Sequence, residues 1–193
     1  MRRLSAIVAF ALLSLPALAA ERTLLDDEDV WKLYTEPSVR ITDVNDNSAT
    51  LGGVGIGAIL NDQLSFGAEV NGLINDIKVD DDGGTIVRSF DWWYAGATVG
   101  YTFFASDLIH LNISSLFGGG QLHTHPEDAS LREESVSFAV IEPRGMAFVN
   151  LTDTVEFGLG VSYRAVEGFE LDGVNDNDMN DIAWVASVRV TEF

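Results

Sequence analysis

From residue 53 onward the chain repeatedly alternates apolar side chains with small or polar ones, and this period of two restricts its fold most. Val54, Ile56, Ala58 and Leu60 alternate with Gly53, Gly55, Gly57 and Ile59. Leu64, Phe66, Ala68 and Val70 alternate with Ser65, Gly67, Glu69 and Asn71. Val155, Phe157, Leu159, Val161 and Tyr163 alternate with Glu156, Gly158, Gly160, Ser162 and Arg164. Side chains of a strand point to opposite faces in turn, so each such segment has one apolar and one polar face. A helix would scatter both sets and would carry many of the 18 glycines in its interior, where each is unfavourable.

The pattern predicts eight strands, at 38–45, 49–60, 63–75, 89–104, 108–120, 135–150, 154–167 and 181–193. Asn61-Asp62, Ala105-Ser106-Asp107 and Thr152-Asp153 read as tight turns. Longer polar segments near 76–88, 121–134 and 168–180 lie between them, with a short hairpin at Asp46-Asn47-Ser48. Short turns on one rim and long loops on the other describe an all-β, eight-stranded antiparallel up-and-down transmembrane barrel. Closure satisfies every backbone group internally, as hydrocarbon requires. A barrel of about eight strands has an interior filled by side chains, here expected to be polar.

In such a barrel the apolar face looks outward. Trp93, Ala95, Ala97, Val99, Tyr101 and Phe103 form that face on 89–104, and Ile109, Leu111, Ile113 and Phe117 form it on 108–120. On 181–193 it is Ile182, Trp184, Ala186, Val188 and Val190. The strand charges are assigned to the lumen: Glu69, Asp91, Glu142 and Glu156 against Arg40, Arg144, Arg164 and Arg189. Four acids and four bases predict internal ion pairs, because a lone charge in a narrow interior is costly. Two clusters are expected. Glu69, Glu142, Arg144 and Arg164 lie near mid-depth, and Arg40, Glu156 and Arg189 lie nearer the rim of short turns. Trp92, Trp93, Tyr94, Tyr101, Phe103, Phe104 and Trp184 crowd toward strand ends, as interfacial girdles do. Pro143 predicts a bulge or bend, since proline cannot donate to a ladder. Val136, Phe138 and Val140 make the inward face of 135–150 unusually apolar, as in a soluble sandwich.

The first twenty residues read as a secretory signal peptide: Arg2 and Arg3, an apolar run from Leu4 to Leu15, then Pro16 and the small Ala17, Ala19 and Ala20. The run is shorter than the ~20 residues a spanning helix needs. Residues 21–37 are acidic and irregular, and read as a periplasmic extension before a barrel domain over 38–193. Removing the signal leaves nine basic residues against 30 acidic ones, a net charge of −21. That balance excludes nucleic acid as a partner and favours cations. The absence of cysteine excludes disulfides and thiolate metal sites.

Signal peptide, eight alternating strands, short periplasmic turns, long outer loops and the terminal Phe193 together resemble the OmpA/OmpX-type small outer-membrane barrels. The resemblance covers residues 38–193. It implies a bacterial outer-membrane location, contact with membrane lipid and lipopolysaccharide, and assembly by machinery that reads Phe193. In that machinery's usual signal the final aromatic shares the apolar parity, whereas Phe193 shares that of Arg189 and Ser187.

Candidate sites are few. His110 is followed by Leu111-Asn112 rather than the His-x-Ser of deacylase-type barrels, and is read as a lumen histidine. His123 and His125 share one side of an extended segment and are weak metal candidates, with Asp176 and Asp178 in a run that echoes the start of a calcium loop. Weak Ca²⁺ or Mg²⁺ binding at the acid-rich outer loops is the only ion expected, and no cofactor or catalytic centre is. The sequence therefore points to a structural or interaction barrel with acidic extracellular loops. Two alternatives stay open. One is a lipid-A-modifying enzyme in the same fold, for which Asp91, Tyr94 and His123 are the rim candidates. The other is a soluble lipocalin-like carrier with the apolar faces turned inward.

Overall fold

The computed structural model describes residues 30–44, 47–75, 77–80, 86–126, 134–168, 170–171, 174–175 and 180–192. Residues 1–29 and Phe193 lie outside them.

Eight antiparallel strands close into a barrel. In chain order they begin with β1 (Trp31–Val44), β2 (Asn47–Leu60) and β3 (Leu64–Leu73), the last continued by β4 (Ile77–Asp80). β5 (Ile86–Phe103), β6 (Ile109–Pro126), β7 (Glu134–Asn150) and β8 (Val155–Glu167) follow. A small hairpin of β9 (Glu170–Leu171) and β10 (Val174–Asn175) precedes β11 (Asp181–Thr191). Neighbours in sequence pair in space, and β1 pairs with β11 to close the wall. β3 and β4 both pair with β5, and the register against β5 shifts by two residues between Gly72 and Ile77. There the Asn75 side chain stands in for the ladder, accepting from Thr50 N–H at 2.6 Å and donating to Ser48 C=O at 3.1 Å.

The wall begins earlier than the alternation indicated. Trp31–Pro37, read as part of a periplasmic extension over 21–37, pair in register with Leu60–Val54 of β2. Pro37 looked like a boundary because it lacks an N–H. In the barrel its missing donor falls on the β11 side, where pairing skips residues 36 and 37 and resumes in the same register. Pro143 behaves alike. Pairing of β7 with β8 skips 142 and 143, yet the register on either side is unchanged, so the expected bulge is absent. Both prolines point outward and both follow a lumen glutamate.

The short turns obey their local chemistry. Asn61 and Asp62 take φ of 51° and 60°, the left-handed pair that a tight hairpin needs and that Asn and Asp tolerate. Asn61 also binds the first described residue, accepting from Val30 N–H at 3.0 Å. At the turn before β8, Thr152 Oγ1 accepts from the N–H groups of Thr154 and Val155.

Side-chain direction follows the parity read from sequence. Val54, Ile56, Phe66, Val70, Ile113, Phe117, Ile141, Leu159 and Ile182 are exposed on the outside, while Arg40, Glu69, Glu142, Arg164 and Arg189 are buried inside. On β5 the outward aromatics sit at Trp93 above and at Tyr101 and Phe103 below. Ten residues separate Trp93 from Phe103, about 33 Å along a strand at ~3.3 Å per residue. At the usual tilt this matches the ~25 Å apolar band of a membrane barrel. Trp92 and Tyr94, grouped by sequence with the girdle, instead point inward and are fully buried.

Candidate functional site

The lumen holds two chemically different halves. Toward the short-turn end, charged residues form a continuous ladder. Arg40 donates from Nε to Glu142 Oε1 at 2.9 Å, from Nη2 to Glu69, and from Nη1 to Ser38 and Asn71. Arg144 Nη1 lies 3.2 Å from Glu69 Oε2 and 3.8 Å from Glu36 Oε1, joining the upper group to the lower. Arg189 binds Glu36 Oε2 through Nη2 at 2.8 Å and Nε at 2.9 Å, and reaches Glu156 at 3.5 Å. His110 ends the series, its Nε2 3.6 Å from Glu156 and its ring stacked on Phe148. Tyr94 donates its hydroxyl to Glu142, and Arg164 lies over the Trp92 ring at 4.4 Å.

Such a network needs space that the wall provides. A Cβ at Gly53 would fall 2.1 Å from Asn71 Oδ1 and 2.9 Å from Arg40 Nη1, so glycine lets the Arg40 head lie against β2.

Two assignments are corrected. Asp91 was placed in the lumen, but it has the parity of Trp93 and is exposed on the outer face of β5. Its place in the charge balance is taken by Glu36, which the assumed extension had hidden. Among the described residues the lumen therefore still holds four glutamates and four arginines, with Arg164 lying over the Trp92 ring. Arg40 was expected near the short-turn rim; it sits with Glu69 and Glu142, because β1 starts seven residues earlier than read. The two expected clusters are thus one ladder, linked through Arg144.

Toward the long-loop end the lumen turns apolar. Trp92, Leu116, Leu122, Phe138, Val140, Leu51, Ala49, Val166 and the ring of Tyr94 form one buried cluster, with Leu73 and Val136 against it. The apolar inward face of β7 is thus a plug inside a barrel, not a sandwich strand. At the opposite mouth a small polar pocket is lined by Lys32, Asp62, Thr102, His110, Asp153, Glu156 and Arg189.

Outside the barrel, β5, β6 and β7 rise above the Trp93 level. Asp91, His123 and Ser135 lie there in one rung of three adjacent strands: Asp91 pairs with His123, and His123 pairs with Ser135. All three carry outward parity. Ser135 escaped sequence reading because only the register of β6 against β7 brings it beside His123. Tyr94, the third rim candidate, is inside. Among the described residues no three His, Asp or Glu side chains converge as a metal centre. His125 lies on β6 opposite Ser89, and Asp176 and Asp178 fall outside the described residues.

No protein-family model matches the chain, and no curated protein matches its sequence. Solved structures do. It superposes on Neisserial surface protein A with a TM-score of 0.60 at 12% identity, over 84% of this chain and 97% of that one. The fold is that of the small outer-membrane barrels. The attachment invasion locus protein Ail of Yersinia pestis, solved with the heparin analogue sucrose octasulfate, matches with a TM-score of 0.52 at 11% identity, over 85% and 98% of the two chains. The N-terminal barrel domain of Pseudomonas aeruginosa OprF matches at 0.50 and 12% identity, over 82% and 97%. Within this outer-membrane barrel fold, the polar ladder and the apolar plug above it are what the present chain places inside.

Proposed function

We propose that the chain is a bacterial outer-membrane barrel that works through its outer end, as a structural or interaction protein, and not by passing solutes through its lumen. The plug carries this reading. Trp92, Phe138, Leu122 and Val140 fill the interior on the long-loop side, and the ion pairs below it fix side chains across the bore. The outward apolar band supports a membrane location and is the reverse of what a soluble carrier requires, since its apolar residues would line a cavity. The short-turn rim then faces the periplasm and the long loops face outside.

The outer connections carry Asp80, Asp81, Asp82, Asp172, Asp176 and Asp178. Their charge favours a cationic partner, or Ca²⁺ or Mg²⁺ shared with lipopolysaccharide phosphates, over a sulfated glycan of the kind bound to Ail. Fractionation of the cell envelope tests the location. The chain is expected in the outer-membrane fraction and migrates differently on a gel with and without heating. Recovery as a soluble periplasmic protein overturns the reading.

A further inference from the structure

We propose that the outer face of β5–β6–β7 carries an acyl-ester hydrolase site made of Ser135, His123 and Asp91. This rests on the outer-membrane reading only for where the substrate lies. The observation is the order of groups in one rung: carboxylate, imidazole, hydroxyl, on three neighbouring strands and one face. Cross-strand neighbours have Cβ atoms about 4.5–5.5 Å apart. One imidazole is thereby flanked by an acid on one side and a hydroxyl on the other, which is the sequence of roles in a hydrolytic triad. The register fixes this arrangement; the hydrogen bonds of such a row often close only when substrate binds.

The surroundings suit a lipid ester. The row sits one step above the Trp93 and Gln121 pair, at the level where the apolar band gives way to polar residues. Six residues down the wall, past Gln121 and the small Gly119 and Ala139, Phe117 and Ile141 are exposed on the same face, about 20 Å along the strand, within reach of a long acyl chain. Gln121 shares the face of His123 two residues on, so its side-chain amide is placed to donate to a developing oxyanion.

The chemistry balances with water alone. Ser135 Oγ attacks the ester carbonyl carbon while His123 takes the hydroxyl proton, and Asp91 stabilises the imidazolium. The tetrahedral intermediate collapses, the ester C–O bond breaks, and the alcohol leaves with the proton from His123. Water, deprotonated by His123, then attacks the acyl-Ser135 carbonyl and releases the fatty acid, returning the proton to Ser135. The substrate class is an acyl ester of a membrane lipid, either a glycerophospholipid or an acylated saccharide lipid.

The test uses the full chain, folded in detergent and checked by heat-modifiable migration. A fluorophosphonate probe is expected to label Ser135, located by peptide mass spectrometry. Labelling is lost in Ser135→Ala and falls about 10²-fold or more in His123→Gln, with both variants still migrating as folded barrels. Separate incubations with phosphatidylethanolamine and with lipid A identify which lipid loses a fatty acid. An unlabelled Ser135 on a folded barrel overturns the site, as does release of fatty acid that persists in Ser135→Ala. Envelope fractionation of the same wild-type chain reports independently on the membrane reading.

Discussion

Glu36 and Arg189 face each other across the seam that closes the barrel, 2.8 Å apart, at the rung where Pro37 interrupts the backbone pairing of β1 with β11. The second interruption is built alike. The register flanking Pro143 sets Glu142 opposite Arg164 across the β7–β8 gap. At each place a proline removes a ladder hydrogen bond on the outside, and a glutamate next to it presents a charge to an arginine on the inside. At the β1–β11 seam side chains join the strands where the main chain does not, while Glu142 is held across the lumen by Arg40 and Tyr94.

Breaking the clasp is expected to be expensive. Glu36 and Arg189 are both about 4% exposed, so Glu36→Gln leaves the buried Arg189 charge with only the longer 3.5 Å contact to Glu156. Removing one member of a buried pair costs about 3–5 kcal/mol. Urea titration of the barrel in lipid is expected to show that loss for Glu36→Gln and for Arg189→Gln. The double variant is expected to lose clearly less than the sum, since neighbours in one network are not additive.

Glycines at close strand contacts are not replaceable. A Cβ at Gly118 falls 2.0 Å from Ala95 C=O and 2.6 Å from Gly96 Cα, both backbone atoms. At outward Gly72 the nearest atom, Trp93 Cβ, is 3.9 Å away. Gly118→Ala is expected to reduce or abolish the heat-modifiable folded band, while Gly72→Ala leaves it unchanged.

The plug makes a prediction about conduction. Truncating Trp92 and Phe138 removes two large rings that touch each other, with centroids 6.3 Å apart. Each truncation costs about 3–5 kcal/mol of stability. In planar bilayers the wild-type barrel is expected to stay closed, and the Trp92→Ala/Phe138→Ala barrel, once folded, to show a small conductance. An open wild-type barrel contradicts a sealed lumen.

Much of this was legible in the sequence, for a simple reason. A period of two assigns a whole strand to its two faces at once, so Arg144, Arg164 and Arg189 could be turned inward without knowing any contact. The reading faltered where local chemistry masked the period. Pro37 hid the first half of β1 and, with it, Glu36. Asp91 was counted with its inward neighbour Trp92 although its parity is that of Trp93. The ladder linking Glu69 to Glu36 through Arg144, and the row Asp91–His123–Ser135, depend on register between strands, which no single segment encodes.

Depth along the wall gives another check. Ile113 is exposed in the middle of the apolar band on β6, and Gln121 lies above it at the Trp93 level. An arginine on the lipid face costs about 2–4 kcal/mol at the membrane midplane and about 0–1 near its edge. Ile113→Arg is expected to lower the urea midpoint sharply and Gln121→Arg scarcely at all. Equal effects contradict the placement of the band.

Orientation of the side chains underlies every conclusion, and the four tryptophans report on it directly. Trp31, Trp93 and Trp184 are outside at 48%, 42% and 70% exposure, whereas Trp92 is inside at 1%. The measurement is fluorescence quenching of single-tryptophan variants reconstituted in vesicles of brominated phospholipid. Strong quenching of Trp31, Trp93 and Trp184 with little of Trp92 is the predicted result. Unquenched outer tryptophans, or a Trp92 quenched as strongly as Trp93, would contradict a barrel whose apolar face meets lipid.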